Sequence, residues 1–112
     1  MKKIEATITP AKFDAVKKAL VGAGMQGMTV SEVKEMDAHS SHTNIYRGTT
    51  YVVDFLPKLK LEVLVGEDSV AACVDVIEQA AKTGRLDDGE ICVSGIDDII
   101  RIRTGEHGRA AI

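Results

Sequence analysis

Arg101 and Arg103 stand two residues apart in "IRIRTG" near the end of this 112-residue chain. Read as an extended segment, that spacing puts both guanidinium groups on one side, and paired planar forks suit a bound polyphosphate. A second stretch, "TGRLDDGE" at 83–90, reads as a helix stop at Gly84 and an Asp-Gly turn into a strand. A third, "NIYRGTTYVVDFLPKLKLEV" at 44–63, gathers Tyr46, Tyr51 and Phe55, three of the four aromatic residues of the chain, around Arg47. Lys58 follows Pro57 where this stretch enters a strand. His39, His42 and His107 are possible imidazole ligands, but they sit on polar segments where solvation is the plainer reading. No Ser-His-Asp arrangement stands out, nor does any acidic pair in an apolar setting.

Alternating and helical patterns supply the frame for these residues. "KIEATIT", 3–9, alternates Ile4, Ala6 and Ile8 with polar residues, as a half-buried strand does. Thr9 and Pro10 then suit a helix cap and first turn, and Phe13, Val16, Leu20 and Ala23 recur at helical spacing until Gly22 and Gly24. "GMTVSEVKE", 27–35, reads as a second strand, and "MDAHSSHTN" loses apolar periodicity. Leu59, Leu61, Val63 and Val65 alternate through a third strand. Asp68 is a candidate cap for a helix with Val70, Cys73, Val74, Ile77, Ala80 and Ala81 on one face, stopped by Gly84. "EICVSGI" makes a fourth strand.

The order βαβ, long loop, βαβ predicts an α+β, ferredoxin-like βαββαβ sandwich with both helices on one face of an antiparallel sheet. The segment 36–54 is expected to project as a loop that displays Tyr46 and Tyr51, with Phe55 turning back toward the body. The other sheet face mixes Glu5 and Thr7 with Lys60, Glu62 and Leu64, a composition suited to partial burial in a cyclic homo-oligomer.

An apolar content of 45% supports one domain over 1–112 without a metal or disulfide. Cys73 and Cys92 lack CxxC spacing and read as buried free thiols. A net charge of −3 gives no footprint for nucleic acid or anionic lipid. No run reaches the roughly 18 to 20 apolar residues of a membrane span or has signal-peptide form, so a cytoplasmic protein is expected.

The strings "MTVSEVK", "HTNIYRGTTYVVDFLPKLKLEVLV", "TGRLDDGEICV" and "DDIIRIRTGEHGRAAI" stand in the order and spacing of the nitrogen regulatory PII signalling proteins, which the chain resembles from Met1 to Ile112. The resemblance implies a homotrimer with adenine nucleotide (ADP or ATP) between subunits, no catalytic turnover, and a T-loop over 36–54 that docks on a membrane transporter or metabolic enzyme. It assigns a phosphate-cradling B-loop to 82–90 and a C-terminal segment to 101–112. The implied ligand residues are Gly27, Thr29, Lys58, Glu62, Leu64, Asp88, Gly89, Arg101 and Arg103. Tyr46 and Arg47 become partner contacts, and Tyr51 matches a tyrosine that some members have modified.

Departures from the pattern bear on the ligand. Asp87 replaces a loop glycine and Glu90 a lysine, while the family's glycine, phenylalanine, glycine, arginine and glutamine appear as Glu35, Met36, Asp37, Ala38 and His39. A unit charge about 5 Å from a phosphate charge is worth roughly 3 kcal/mol at an effective dielectric near 20. Reversing its sign penalises each added phosphate, so ADP or AMP is expected over ATP, with magnesium and 2-oxoglutarate disfavoured. The alternative is a sensor of another small anion such as bicarbonate, without nucleotide.

Overall fold

The computed structural model describes residues 1–36 and 55–112, together with the backbone of 42–46 and 49–53. Strand β1 (Lys2–Ile8) leads through a 3-10 turn (Pro10–Lys12) into helix α1 (Phe13–Gly22), then strand β2 (Thr29–Met36). Strands β3 (His42–Tyr46) and β4 (Thr49–Val53) pair with each other alone, and β5 (Phe55–Val65) returns to the body. A second 3-10 turn (Glu67–Ser69) opens helix α2 (Val70–Ala81), and strand β6 (Gly89–Gly95) precedes a last 3-10 turn (Gly108–Ala111).

The main sheet has the order β2-β5-β1-β6, with every neighbouring pair antiparallel. Each βαβ half therefore straddles a strand of the other half, the interleaving of a ferredoxin-like sandwich. Alternation drives the burial. Ile4, Ala6 and Ile8 point to the side where Leu61, Val63 and Val65 also point, and Val16, Leu20, Cys73 and Ile77 of the helices close over them. Near-complete burial makes each of these side chains worth about 1.5–3 kcal/mol, which anchors the layers without a disulfide.

The opposite sheet face is polar. Register sets Glu5 opposite Glu62 and Thr7 opposite Lys60, and Lys3 Nζ lies 2.8 Å from Glu5 while Lys60 Nζ lies 3.9 Å from it. The hydrogen bond from Lys3 lowers the Glu5 carboxyl pKa and raises that of Lys3. Cys92 pairs across from Glu5 and is exposed on this face, while Cys73 is buried. The expectation of two buried thiols is thus corrected by strand parity: position 92 shares its face with Glu5, not with Ile4.

Several local expectations are also revised. Thr9 has extended backbone but makes no side-chain cap bond, and Pro10 opens a 3-10 turn in place of the first α-helical turn. Asp68 does not cap α2; Ser69 holds that position without a side-chain bond, and Asp68 pairs with Arg109. Helix α2 ends at Ala81, with Lys82 already extended, before Gly84 is reached. Within 36–54, the two paired strands β3 and β4 replace a segment expected to lack regular structure.

Phe55 is 57% exposed and its register partner Met36 67%, against the expectation that Phe55 turns inward. Lengths explain this. The 11 residues of β5 extend about 36 Å, whereas the 12 of α2 cover only about 18 Å. The Phe55 end of β5 outruns the helical layer.

One glycine is dictated by packing. A Cβ on Gly89 would come within 1.8 Å of the Thr7 carbonyl oxygen, and its φ of +107 is strained for any side chain. Gly89→Ala is expected to cost about 3 kcal/mol or more in urea unfolding at fixed protein concentration. Gly27→Ala is the control, because a Cβ there meets nothing within 4 Å, and its unfolding midpoint should barely move.

Candidate functional site

A cleft of about 870 Å³ opens where the C-terminal end of β5 meets the start of β2 and the end of the chain. Its walls come from 24–29, 62–66, Ser69, Arg101, Arg109 and the last two residues. Thr29 and Glu62 are register partners and share one sheet face with Leu64. Gly27 lies on the approach from α1 and borders open space, so the fold itself does not demand a glycine there. Five expected ligand residues, Gly27, Thr29, Glu62, Leu64 and Arg101, are thus brought together.

Arg103 is not among them. The segment after Ile100 is not extended: Gly105 N donates to the Arg101 carbonyl at 2.7 Å, and Arg101 N donates to the Glu106 carbonyl at 2.9 Å. This closed turn, with an isolated bridge between Ile100 and His107, removes the same-side geometry expected of Arg101 and Arg103. Gly105, at φ +73, lets the chain reverse there. Arg101 Nη2 donates to the Ala111 carbonyl at 2.6 Å. His107 sits across the turn with Nδ1 3.0 Å from Asp98, whose carboxyl pKa that contact lowers. Among the described residues no group of three or more His, Cys, Asp or Glu is placed to hold a metal ion. His39 and the His42 side chain lie outside the described residues.

The remaining expected residues collect elsewhere. Lys58 is only 5% exposed, and its Nζ donates to the Asp87 carbonyl. A buried ammonium needs such an acceptor, so Lys58 ties strand β5 to the turn before β6. Around it, a groove of about 190 Å³ is lined by Glu35, Met36, Leu56, Leu86, Asp87 and Glu90, with Gly89 at its edge. Asp88 faces inward: its carboxylate accepts from Thr83 N and Gly84 N, both at 2.8 Å, and from the Thr83 hydroxyl. Its role in the described geometry is to shape the turn.

Lys58 and Glu62 share a face of β5 but are four residues apart, about 13 Å along the strand. The cleft and the Lys58 groove therefore lie toward opposite ends of the sheet, and one chain does not merge them. The side chains of Tyr46 and Tyr51, and Arg47 altogether, lie outside the described residues.

Comparison with known proteins places this geometry. The family model described as nitrogen regulatory protein P-II matches residues 1–106. The chain belongs to the nitrogen regulatory protein P-II family. It is 54% identical to a "Nitrogen regulatory protein P-II" of Mesorhizobium japonicum and 52% identical to "Nitrogen regulatory protein P-II 1" of Escherichia coli K12, each over 112 residues and the full length of both chains. A crystal structure of Arabidopsis thaliana PII bound to citrate is similar with a TM-score of 0.81 and 33% identity, covering 99% of this chain and 91% of that one. PII proteins are regulatory signal-transduction proteins, and this chain is a nitrogen regulatory protein of that kind. No described helix is long and apolar enough to cross a membrane.

One residue and one contact of the site escaped sequence reasoning. Arg109 lies beyond the span matched by the family model and, although it stands in the quoted C-terminal string, has no periodic signal of its own. Lys58 was foreseen, but its tether to the Asp87 carbonyl is a contact across 29 residues that no local pattern encodes.

The turn also yields a pH prediction. Hydrogen bonds from Thr83 hold the Asp88 carboxyl below the usual range. Because the folded value lies under the unfolded one, the turn is fully supported at neutral pH and loses that support only as pH falls through the depressed value. NMR titration of the Thr83 and Gly84 amides should show a step with midpoint below about 3.9, the ordinary Asp value. Asp88→Asn should abolish the step, and a midpoint at or above that value would refute the assignment.

Proposed function

We propose that this PII-family protein is a non-catalytic, cytoplasmic signal-transduction protein that binds adenine nucleotide between the subunits of a homotrimer. The supporting observation is the split of the candidate ligand residues between two ends of one sheet. The cleft carries Thr29, Glu62, Leu64 and Arg101, while Asp88 and Gly89 of the 82–90 turn sit with Lys58 of β5, which is bonded to that turn. A second copy laying its turn against the first copy's cleft makes one complete site from the two halves. Cyclic repetition also covers the polar sheet face.

Ligand choice follows from charge. Asp87 and Glu90 line the groove that also holds the Lys58 ammonium, so phosphates carried to this turn meet repulsion that grows with their number. ADP or AMP is favoured over ATP, and magnesium with 2-oxoglutarate is not expected to add to the binding.

Coupling to the loop has a continuous route. Strand β2 runs from Thr29 in the cleft to Met36, which pairs with Phe55 where the chain leaves for β3 and β4. Nucleotide that binds one loop arrangement better shifts the loop by that difference in affinity and no more. The T-loop of 36–54, with Tyr46, Arg47 and Tyr51, then engages a transporter or a metabolic enzyme. Tyr51 is in addition the candidate site of covalent modification.

Calorimetric titration with ATP, ADP and AMP, with and without magnesium and 2-oxoglutarate, should rank ATP last. Preference for Mg-ATP strengthened by 2-oxoglutarate overturns the ligand assignment, and sedimentation as a monomer overturns the shared site. A second reading is a small anion alone in the cleft, such as bicarbonate, and the citrate bound to the Arabidopsis relative favours it. Equilibrium dialysis with bicarbonate in the absence of nucleotide separates the two.

A further inference from the structure

We infer that Arg109 is an anion-contacting residue of the cleft that is held in reserve by Asp68; this inference rests on the proposed nucleotide site. Arg109 Nη2 lies 2.8 and 2.9 Å from the two carboxylate oxygens of Asp68. Its guanidinium rests on the backbone at Gly66, where a Cβ would come within 3.0 Å of it. Both Arg109 and Gly66 line the cleft with Arg101.

The two arginines converge on one short segment. Arg101 grips the Ala111 carbonyl, and Arg109 belongs to the same 3-10 turn, Gly108–Ala111. Arg109 thus adds a guanidinium beside that of Arg101 on the cleft wall. Among the described residues the cleft so built holds two cationic forks, with the Glu62 carboxylate on its wall and that of Asp68 on Arg109.

The pairing with Asp68 does not commit Arg109. Its side chain is 70% exposed and that of Asp68 67%, and an ion pair between groups this exposed is weak because water screens it. The contact lowers the Asp68 carboxyl pKa, so Asp68 is ionised at neutral pH and competes with any incoming anion for the same fork. A phosphate ester, with more charge and three acceptor oxygens, outcompetes a single solvated carboxylate for a bidentate donor.

Opposite signs in two variants test this. In calorimetric titration with ADP, Arg109→Ala and Arg109→Gln should weaken binding about tenfold, the loss expected for one charge-assisted contact. Asp68→Ala should tighten binding, and should do so only while Arg109 is present, leaving the Arg109→Ala affinity unchanged in the double variant. If Asp68→Ala weakens ADP binding as much as Arg109→Ala does, the pair is a staple for the chain end and the inference falls. ADP binding indifferent to Arg109 also overturns it, while leaving the functional reading intact. No ADP binding to the unaltered protein overturns both.

Discussion

Strand β5 has to satisfy two faces and two ends at once, and the rest of the molecule is arranged around that demand. On one face Leu61, Val63 and Val65 are buried under the helices. On the other, Lys58 and Glu62 belong to different halves of the candidate site. Period-two alternation lets a single strand do both, because a side chain that leaves the core face necessarily enters the ligand face. A register slip of one residue would therefore exchange core for site. The close approach of Gly89 to Thr7 carbonyl oxygen on the far side of β1 holds the turn before β6 to the same sheet.

Charge sets the second level of organisation. Among the described residues, the cations that face the candidate ligand are each engaged with oxygen already: Lys58 with the Asp87 carbonyl, Arg101 with the Ala111 carbonyl, Arg109 with Asp68. On the proposed reading, ligand binding is therefore an exchange of acceptors more than a filling of vacant charge. Its net free energy is the difference between two sets of hydrogen bonds, which is why the partner strength of each arginine matters as much as its presence.

Much of this was legible in the residues. Alternation through 3–9 and 59–65, the β-branched run of 27–35, "EICVSGI", and helical spacing through 13–20 and 70–81 located four strands, two helices and the core, because burial on one face is a local, periodic requirement. The motif strings placed Gly27, Thr29, Glu62, Leu64 and Arg101, and all five share the cleft. What failed depended on tertiary competition. Asp68 has the chemistry of a cap, but Arg109 outbids the helix terminus for it. The same-side geometry of Arg101 and Arg103 failed because a turn closed by Gly105 replaced an extended segment. Cys92 looked apolar in sequence, although strand parity had assigned it to the face of Glu5. The pairing of β3 with β4 joins two five-residue stretches, "HTNIY" and "TTYVV", too short to carry a clear alternating period.

The position of the chain's last residues has a practical corollary for anyone handling the protein. Ala111 is buried and Ile112 forms part of the cleft wall. Any peptide fused after Ile112, an affinity tag included, begins at the mouth of the cleft and takes up space there.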